Sequence, residues 1–292
     1  MFSTQKSKAV LFGINYNTSA DAKLRGCIND VKNIASLLKT KMNFGEISTY
    51  TDEVSNEPVS KANIINVLKQ LARECREEQI STVWIHFSGH GSQVRDWNND
   101  EEDGLDECFI ASDYKRGGII TDDEFNMYFR LFPTTTKIIC VFDCCHSGTM
   151  LDLKYSYKCN DNMNVYQSVD MSSISQRGGS YDVVENNIIM LSGCEDDQTS
   201  ADAFNVMNKR TFTGALSSCL IETLNAVHFD ISLYELVENL HRMLRKKNFT
   251  QKPMLSSTHV IQKKDKLLQT GIGDAVAREQ RDISSVNEHS AD

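Results

Sequence analysis

Short runs that are apolar or β-branched throughout recur along the chain, separated by stretches in which apolar positions return every three or four residues. The clearest short runs are Ala9 to Ile14 (AVLFGI), Thr82 to Phe87 (TVWIHF), Lys137 to Phe142 (KIICVF) and Ile188 to Leu191 (IIML). A run with no polar alternation has no face to offer to water, so each reads as a strand buried on both sides, as in a parallel sheet covered by helices. Further strands are expected at Ile47 to Tyr50 and near Ser256 to Ile261. Helices are expected over Ile28 to Lys41, Lys61 to Gln79, Asp122 to Leu131, Phe212 to Ala226 and Ser232 to Lys247. In the second of these, Ile64, Ile65, Leu68, Leu71 and Ala72 mark a single buried face. The βαβα alternation, with crossovers of helix length, predicts an α/β fold around a mainly parallel six-stranded sheet flanked by helices.

Two stretches fall outside that pattern. Lys154 to Asn187 is rich in Ser, Asn and Asp, and at about 34 residues it exceeds the usual connection, which predicts a functional or disordered loop. From Lys263 to Asp292 few large apolar residues remain, and a fraying tail is expected. At the other end, MFSTQKSKAVLFGINY offers an apolar run too short for a signal peptide or a membrane span. A cytoplasmic chain is expected, and no internal repeat is found.

Composition narrows the class. With 40% hydrophobic residues and only 3 prolines in 292 residues, the chain is neither collagen-like nor a Pro-rich disordered segment. Its 31 Lys+Arg against 40 Asp+Glu give a net charge of −9, a poor basis for binding polyanions; nucleic acid is excluded as a partner and cationic ligands are favoured. Nine cysteines, an odd set without a C-x-x-C pair, argue for reduced thiols rather than a disulfide framework or a zinc ribbon.

Ligands of an open parallel sheet bind at the carboxyl ends of its strands. Two endings stand out. The strand closing at Phe87 runs into Ser88-Gly89-His90-Gly91-Ser92, and the strand closing at Phe142 runs into Asp143-Cys144-Cys145-His146-Ser147-Gly148. Glycines permit tight turns beside each reactive residue. A thiol near neutral pH needs a base or a cation to become a nucleophile, and an imidazole on the next strand supplies one. Taken singly, a buried Cys or a surface His is ordinary; together at one sheet end they predict a Cys–His pair.

The motifs Ser88-Gly-His-Gly-Ser-Gln, Asp143-Cys-Cys-His-Ser-Gly-Thr, Gly26-Cys-Ile-Asn-Asp30 and Leu191-Ser-Gly-Cys-Glu-Asp-Asp-Gln-Thr-Ser-Ala-Asp202 occur in this order, and over residues 8 to 262 the chain resembles a metacaspase of the caspase-like cysteine protease clan. The resemblance implies the caspase-hemoglobinase fold, Cys145 as nucleophile, His90 as its partner and cleavage after Arg or Lys. It further implies that backbone N–H groups of Gly91 and Cys145 hold the oxyanion. Peptide or protein substrates would be the partners, with neither membrane nor nucleic acid involved and a monomer as the working unit. A single catalytic domain over residues 1–262 is expected, with a large-subunit-like region at 8–153, an inter-subunit loop at 154–187, a small-subunit-like region at 188–262 and the tail at 263–292. Neither a prodomain nor a long linker is expected.

Asp143 lies two residues before Cys145, and Ser88 two before His90, so strand alternation turns each toward the face of its neighbour. A carboxylate there favours a cationic P1 side chain. By resemblance Cys27 and Asp30 join Ser88 and Asp143 in the S1 pocket. Asp143 could instead orient His90 as a third triad member. Cys144, adjacent to Cys145, is expected to face away from the chemistry.

The stretch Arg95 to Glu107 (RDWNNDEEDGLDE) carries seven acids and one base, but Glu101 occupies the position where an EF-hand turn requires Gly. Asp122-Asp123 opens a helix, and Asp152 follows soon after the nucleophile. Acidic elements gathered near one sheet end repel unless a cation joins them, and hard oxygens suit calcium rather than zinc. By resemblance Asp106, Asp122, Asp123 and Asp152 are the calcium ligands, with a weak, regulatory affinity. Self-cleavage is expected within 154–187, where Lys154, Lys158 and Arg177 lie, most readily after Lys158 or Arg177. Two other classes compete: a catalytically idle scaffold that binds calcium or a partner, and a thiol-redox protein built on Cys144-Cys145.

Overall fold

The computed structural model describes residues 6–53, 59–96, 104–144, 150–160, 162–169, 186–193, 202–204, 212–227 and 229–268. In chain order its strands are β1 (Ser7–Gly13), β2 (Glu46–Thr51), β3 (Thr82–Ser88), β4 (Gly91–Arg95), β5 (Leu105–Phe109), β6 (Ile120–Thr121), β7 (Lys137–Asp143), β8 (Tyr155–Cys159), β9 (Val165–Val169), β10 (Asn187–Ser192), β11 (Asp202–Phe204), β12 (Phe212–Gly214) and β13 (Met254–Ser257). The helices are α1 (Cys27–Lys41), α2 (Lys61–Glu77), the single turn α3 (Tyr114–Gly117), α4 (Asp122–Phe129), α5 (Ala215–Ala226) and α6 (Leu233–Lys246).

All six expected strands form, in the order β2-β1-β3-β7-β10-β13, and the first five run parallel. The last lies earlier than its sequence pattern suggests and pairs antiparallel with β10. Phe12, Phe87, Phe142 and Met190 of the central strands pack with Ile64, Leu68 and Leu71 of α2 and Phe125 and Phe129 of α4. Leu11, Trp84, Val141 and Leu191 point the other way, against α1, α5 and α6. Both faces of every central strand are thus covered, which is why their sequences show no polar alternation. Helix starts follow ordinary capping chemistry. The Ser60 hydroxyl accepts from the Asn63 N–H, and Thr121 with Glu124 and Ser232 with Glu235 form capping boxes.

Two expectations need correction. Among the described residues the sheet has eight strands, because β8 and β9 form a hairpin on its β13 edge inside the segment read as an inter-subunit loop. The polar composition there hides an alternation: Tyr157 and Cys159 are buried while Ser156 and Lys158 are not, and the Tyr157 hydroxyl accepts from the Ile261 N–H at 2.7 Å. The start of the expected tail is also docked. The Lys137 ammonium donates to the carbonyls of Lys266 and Leu267, the Leu233 N–H donates to the Asp265 carbonyl, and Leu267 is buried.

Candidate active site

The central strands end in register, with Gly13 beside Ser88 and Ser88 beside Asp143. Cβ atoms alternate across a strand, so Ser88 and Asp143 belong to the α1/α5 face, whereas Cys144 lies in the cluster under α2 and α4 and is fully buried. Cys144 therefore faces away from Asp143. Cys145 and Arg177 lie outside the described residues.

His90 sits between β3 and β4. Gly89, just before it, lets the chain pass close to both rings: a Cβ would lie 2.9 Å from the Tyr16 hydroxyl oxygen and 3.0 Å from the Phe87 ring. The His90 N–H donates to the Tyr16 hydroxyl at 2.8 Å, and its carbonyl accepts from the Ile110 N–H at 3.1 Å. Its Nε2 lies 2.8 Å from the carbonyl oxygen of Ala22. A carbonyl only accepts, so Nε2 carries a proton and in the neutral ring Nδ1 keeps the lone pair. The orienting role considered for Asp143 thus has another occupant, the Ala22 backbone. Gly91 opens β4, opposite Phe109.

Three of the four residues assigned to the S1 pocket, Asp30, Ser88 and Asp143, come together. The Ser88 hydroxyl donates to Asp30 Oδ2 at 2.7 Å, and the Gly214 N–H donates to both Asp30 oxygens at 2.9 and 3.0 Å. Asp143 Oδ2 accepts from the Ser217 N–H at 2.8 Å. Both carboxylates close on Gly214, where a Cβ would lie 2.2 Å from Asp143 Oδ2 and 2.8 Å from Asp30 Oδ2. Cys27, buried one turn before Asp30 on α1, donates its N–H to Asn15 Oδ1 at 3.0 Å. Gly13 admits it, since a Cβ there would lie 2.6 Å from the Cys27 carbonyl oxygen.

These carboxylates also do structural work. Gly214 gives α5 no side-chain cap, and Asp30 and Asp143 accept the N–H groups that its first turn leaves unpaired. Sequence reasoning missed Gly214 and Ser217, because nothing in their local pattern ties them to positions 30 and 143.

The acidic residues gather around α4. Asp122 is buried at its start and accepts from the N–H groups of Glu107 and Asp123 at 2.8 and 2.7 Å. Burial, reinforced by the charges of Glu107 and Asp106, pushes its carboxyl up to about 9. Asp106 is buried in β5, while Asp123 is exposed. Asp152, at φ 45°, accepts from Asn126 Nδ2 at 2.9 Å, and Asn126 Oδ1 is buried without a hydrogen-bond partner. Among the described residues no three His, Cys, Asp or Glu side chains converge as a metal site requires. The donor chemistry nonetheless fits a hard cation: every candidate ligand is an oxygen, and Asn126 Oδ1 is an unused one beside Asp152.

Lys158 belongs to β8, opposite Tyr166, rather than to a loop. The seven described cysteines are all buried and free of disulfides, and no described helix is long and apolar enough to cross a membrane.

Comparison with known proteins places this geometry in a family. The family model described as "Metacaspase, peptidase C14 domain" matches residues 7–154. Metacaspase-1 of Meyerozyma guilliermondii is 32% identical over 294 residues, covering 87% of this chain and 70% of that protein. Metacaspase-1B of Aspergillus niger is 33% identical, with 88% of this chain and 66% of that protein covered. Metacaspase-2 of Trypanosoma brucei brucei is 32% identical, with 88% and 74% covered. A crystal structure of a protein from Geobacter sulfurreducens, 21% identical, superimposes with a TM-score of 0.60 over 90% of this chain and all of that one, which bears on the fold alone. The chain belongs to the metacaspases, a family of cysteine-type peptidases.

Proposed function

We propose that this chain is a calcium-dependent cysteine endopeptidase cleaving after Arg or Lys. The observation that carries the specificity is the meeting of two buried carboxylates, Asp30 and Asp143, at Gly214, beside the strand end that leads to His90. Each accepts a backbone hydrogen bond, and two buried carboxylates side by side in a water-poor setting favour a guanidinium or ammonium as the P1 group. An acidic P1 side chain would be repelled there.

In the proposed chemistry the Cys145 thiol gives its proton to His90 Nδ1, while Nε2–H stays on the Ala22 carbonyl. The sulfur attacks the carbonyl carbon of the P1 residue, and the N–H groups of Gly91 and Cys145 hold the oxyanion. As the intermediate collapses, His90 returns the proton to the leaving amine. Water, deprotonated by His90, then cleaves the thioester and frees Cys145.

Calcium would be held by oxygens of Asp106, Asp122, Asp123 and Asp152, with Asn126 Oδ1 as an added donor. When bound, the cation neutralises carboxylates that otherwise repel one another. The chain would act as a monomer in a reducing, cytoplasmic setting, in keeping with its buried free thiols. Self-processing is assigned to Arg177 rather than Lys158, because a strand paired on both sides cannot enter a protease cleft without unpairing.

The test is cleavage of matched peptides with Arg, Lys, Leu or Asp at P1, in calcium and in EGTA. Cleavage after Arg and Lys only, dependent on calcium, supports the reading; equal cleavage after Leu or full activity in EGTA removes the corresponding part.

A further inference from the structure

Tyr16 grips His90 in two ways. Its hydroxyl accepts the His90 N–H at 2.8 Å and donates to the Ile110 carbonyl at 2.7 Å, and its ring centroid lies 4.7 Å from that of the imidazole. The hydroxyl is therefore spent as donor and as acceptor, in a side chain that is almost wholly buried. Nothing in the peptidase chemistry proposed above uses it.

The backbone at Tyr16 is unusual as well. Its φ is 52°, the left-handed region that a bulky L-residue rarely enters. Such a conformation persists only where the surroundings over-determine it, and it clusters at functional sites. Here the surroundings are specific. Asp52, just past β2, accepts the N–H groups on either side of Tyr16: Asn15 N–H on Oδ1 at 2.8 Å and Asn17 N–H on Oδ2 at 3.0 Å. The Tyr16 carbonyl accepts from the Ser19 N–H at 2.9 Å, closing the turn. The same loop supplies Ala22, whose carbonyl holds His90 Nε2.

We infer that Tyr16, locked in its left-handed turn by Asp52, is a positioning residue for His90: it fixes the backbone and ring plane that let Nε2 reach Ala22 and leave Nδ1 free as the base. The inference rests on the reading of His90 as the base of a peptidase. Without the hydroxyl the His90 N–H and the Ile110 carbonyl lose a shared partner, the ring is free to tilt, and Nε2 leaves the carbonyl that selects its tautomer. A small misplacement of a catalytic group can cost up to roughly 100-fold in rate.

The test uses Tyr16→Phe, which keeps the ring and removes the hydroxyl, with two readouts. In 15N spectra of histidine-labelled protein, with His90 assigned by its loss in His90→Ala, the wild type should show one neutral tautomer protonated at Nε2, and Tyr16→Phe a mixture. On an Arg peptide, kcat should fall roughly 10- to 100-fold with KM within about twofold. An unchanged tautomer, an unchanged kcat, or a loss carried by KM overturns the inference. Should Tyr16→Phe not fold, Asp52→Asn decides: the same tautomer mixing and kcat loss support it, and wild-type values overturn it. Wild type that cleaves no basic peptide defeats the peptidase reading instead, and the spectra still report whether Tyr16 governs His90.

Discussion

The Ser88 hydroxyl at the end of β3 donates a buried 2.7 Å hydrogen bond to Asp30 on α1, joining the sheet to the helix that closes over it. The bond holds one oxygen of a carboxylate on which the Gly214 N–H also closes. Asp30→Asn keeps the shape and removes the charge. Losing one partner of a buried charge pair costs about 2–5 kcal/mol, so kcat/KM for Arg peptides should drop by roughly 30- to 5,000-fold. Cleavage rates for Arg against Leu at P1 give the check, and selectivity retained in Asp30→Asn would separate Asp30 from the pocket.

Gly214→Ala tests the meeting of the two carboxylates by crowding. Its φ and ψ, −65° and 144°, suit alanine, so only space is at issue. The new methyl would overlap Asp143 Oδ2 at 2.2 Å. A loss of about 1–3 kcal/mol in stability is expected from overpacking, together with weaker Arg cleavage. Denaturant melts and P1 profiles measure both.

Acid stability should depend on His86. It lies fully buried on β3, where desolvation holds its imidazole down to about 3 against an ordinary value near 6.5. Between these values the unfolded chain binds the proton and the folded chain does not, so this contribution is complete above pH 6.5 and is lost as pH falls toward 3. His86→Leu should flatten the dependence of Tm on pH in that window. A wild-type slope in the variant would assign acid lability to other groups.

Calcium dependence should fade with the oxygens around α4. Asp152→Asn and Asp122→Asn are expected to raise the free calcium needed for half-maximal activity by roughly tenfold or more, the scale on which ligand charge count tunes such sites. Activity titrated against buffered calcium reads this directly. Unaltered calcium curves in both variants would place the ion elsewhere.

Much of the scaffold was legible in the sequence. Ile64, Leu68, Leu71 and Ala72 are buried on one face of α2, and the wholly apolar runs are the central strands, because burial on both faces leaves its mark at every position. The pairing of Ser88 with Asp143 at the strand ends was legible too, since alternation along a strand assigns each side chain a face. The grip on His90 was not: Ala22 acts through a backbone carbonyl, which any residue carries, and Tyr16 reads locally as one more aromatic in a loop. The β8–β9 hairpin was hidden by its Ser, Lys and Asn content, although the partners of Tyr157 decide its fold.

The central claim is that Cys145, activated by His90, cleaves after a basic residue. Its most direct measurement is labelling by a peptidyl-Arg electrophile, with the modified peptide identified by mass spectrometry, in calcium and in EGTA, for wild type, His90→Ala and Cys145→Ala. Modification at Cys145 alone, in calcium alone, and its loss in both variants is the predicted result. Labelling at another cysteine, or hydrolysis of Arg peptides by Cys145→Ala, would contradict the account.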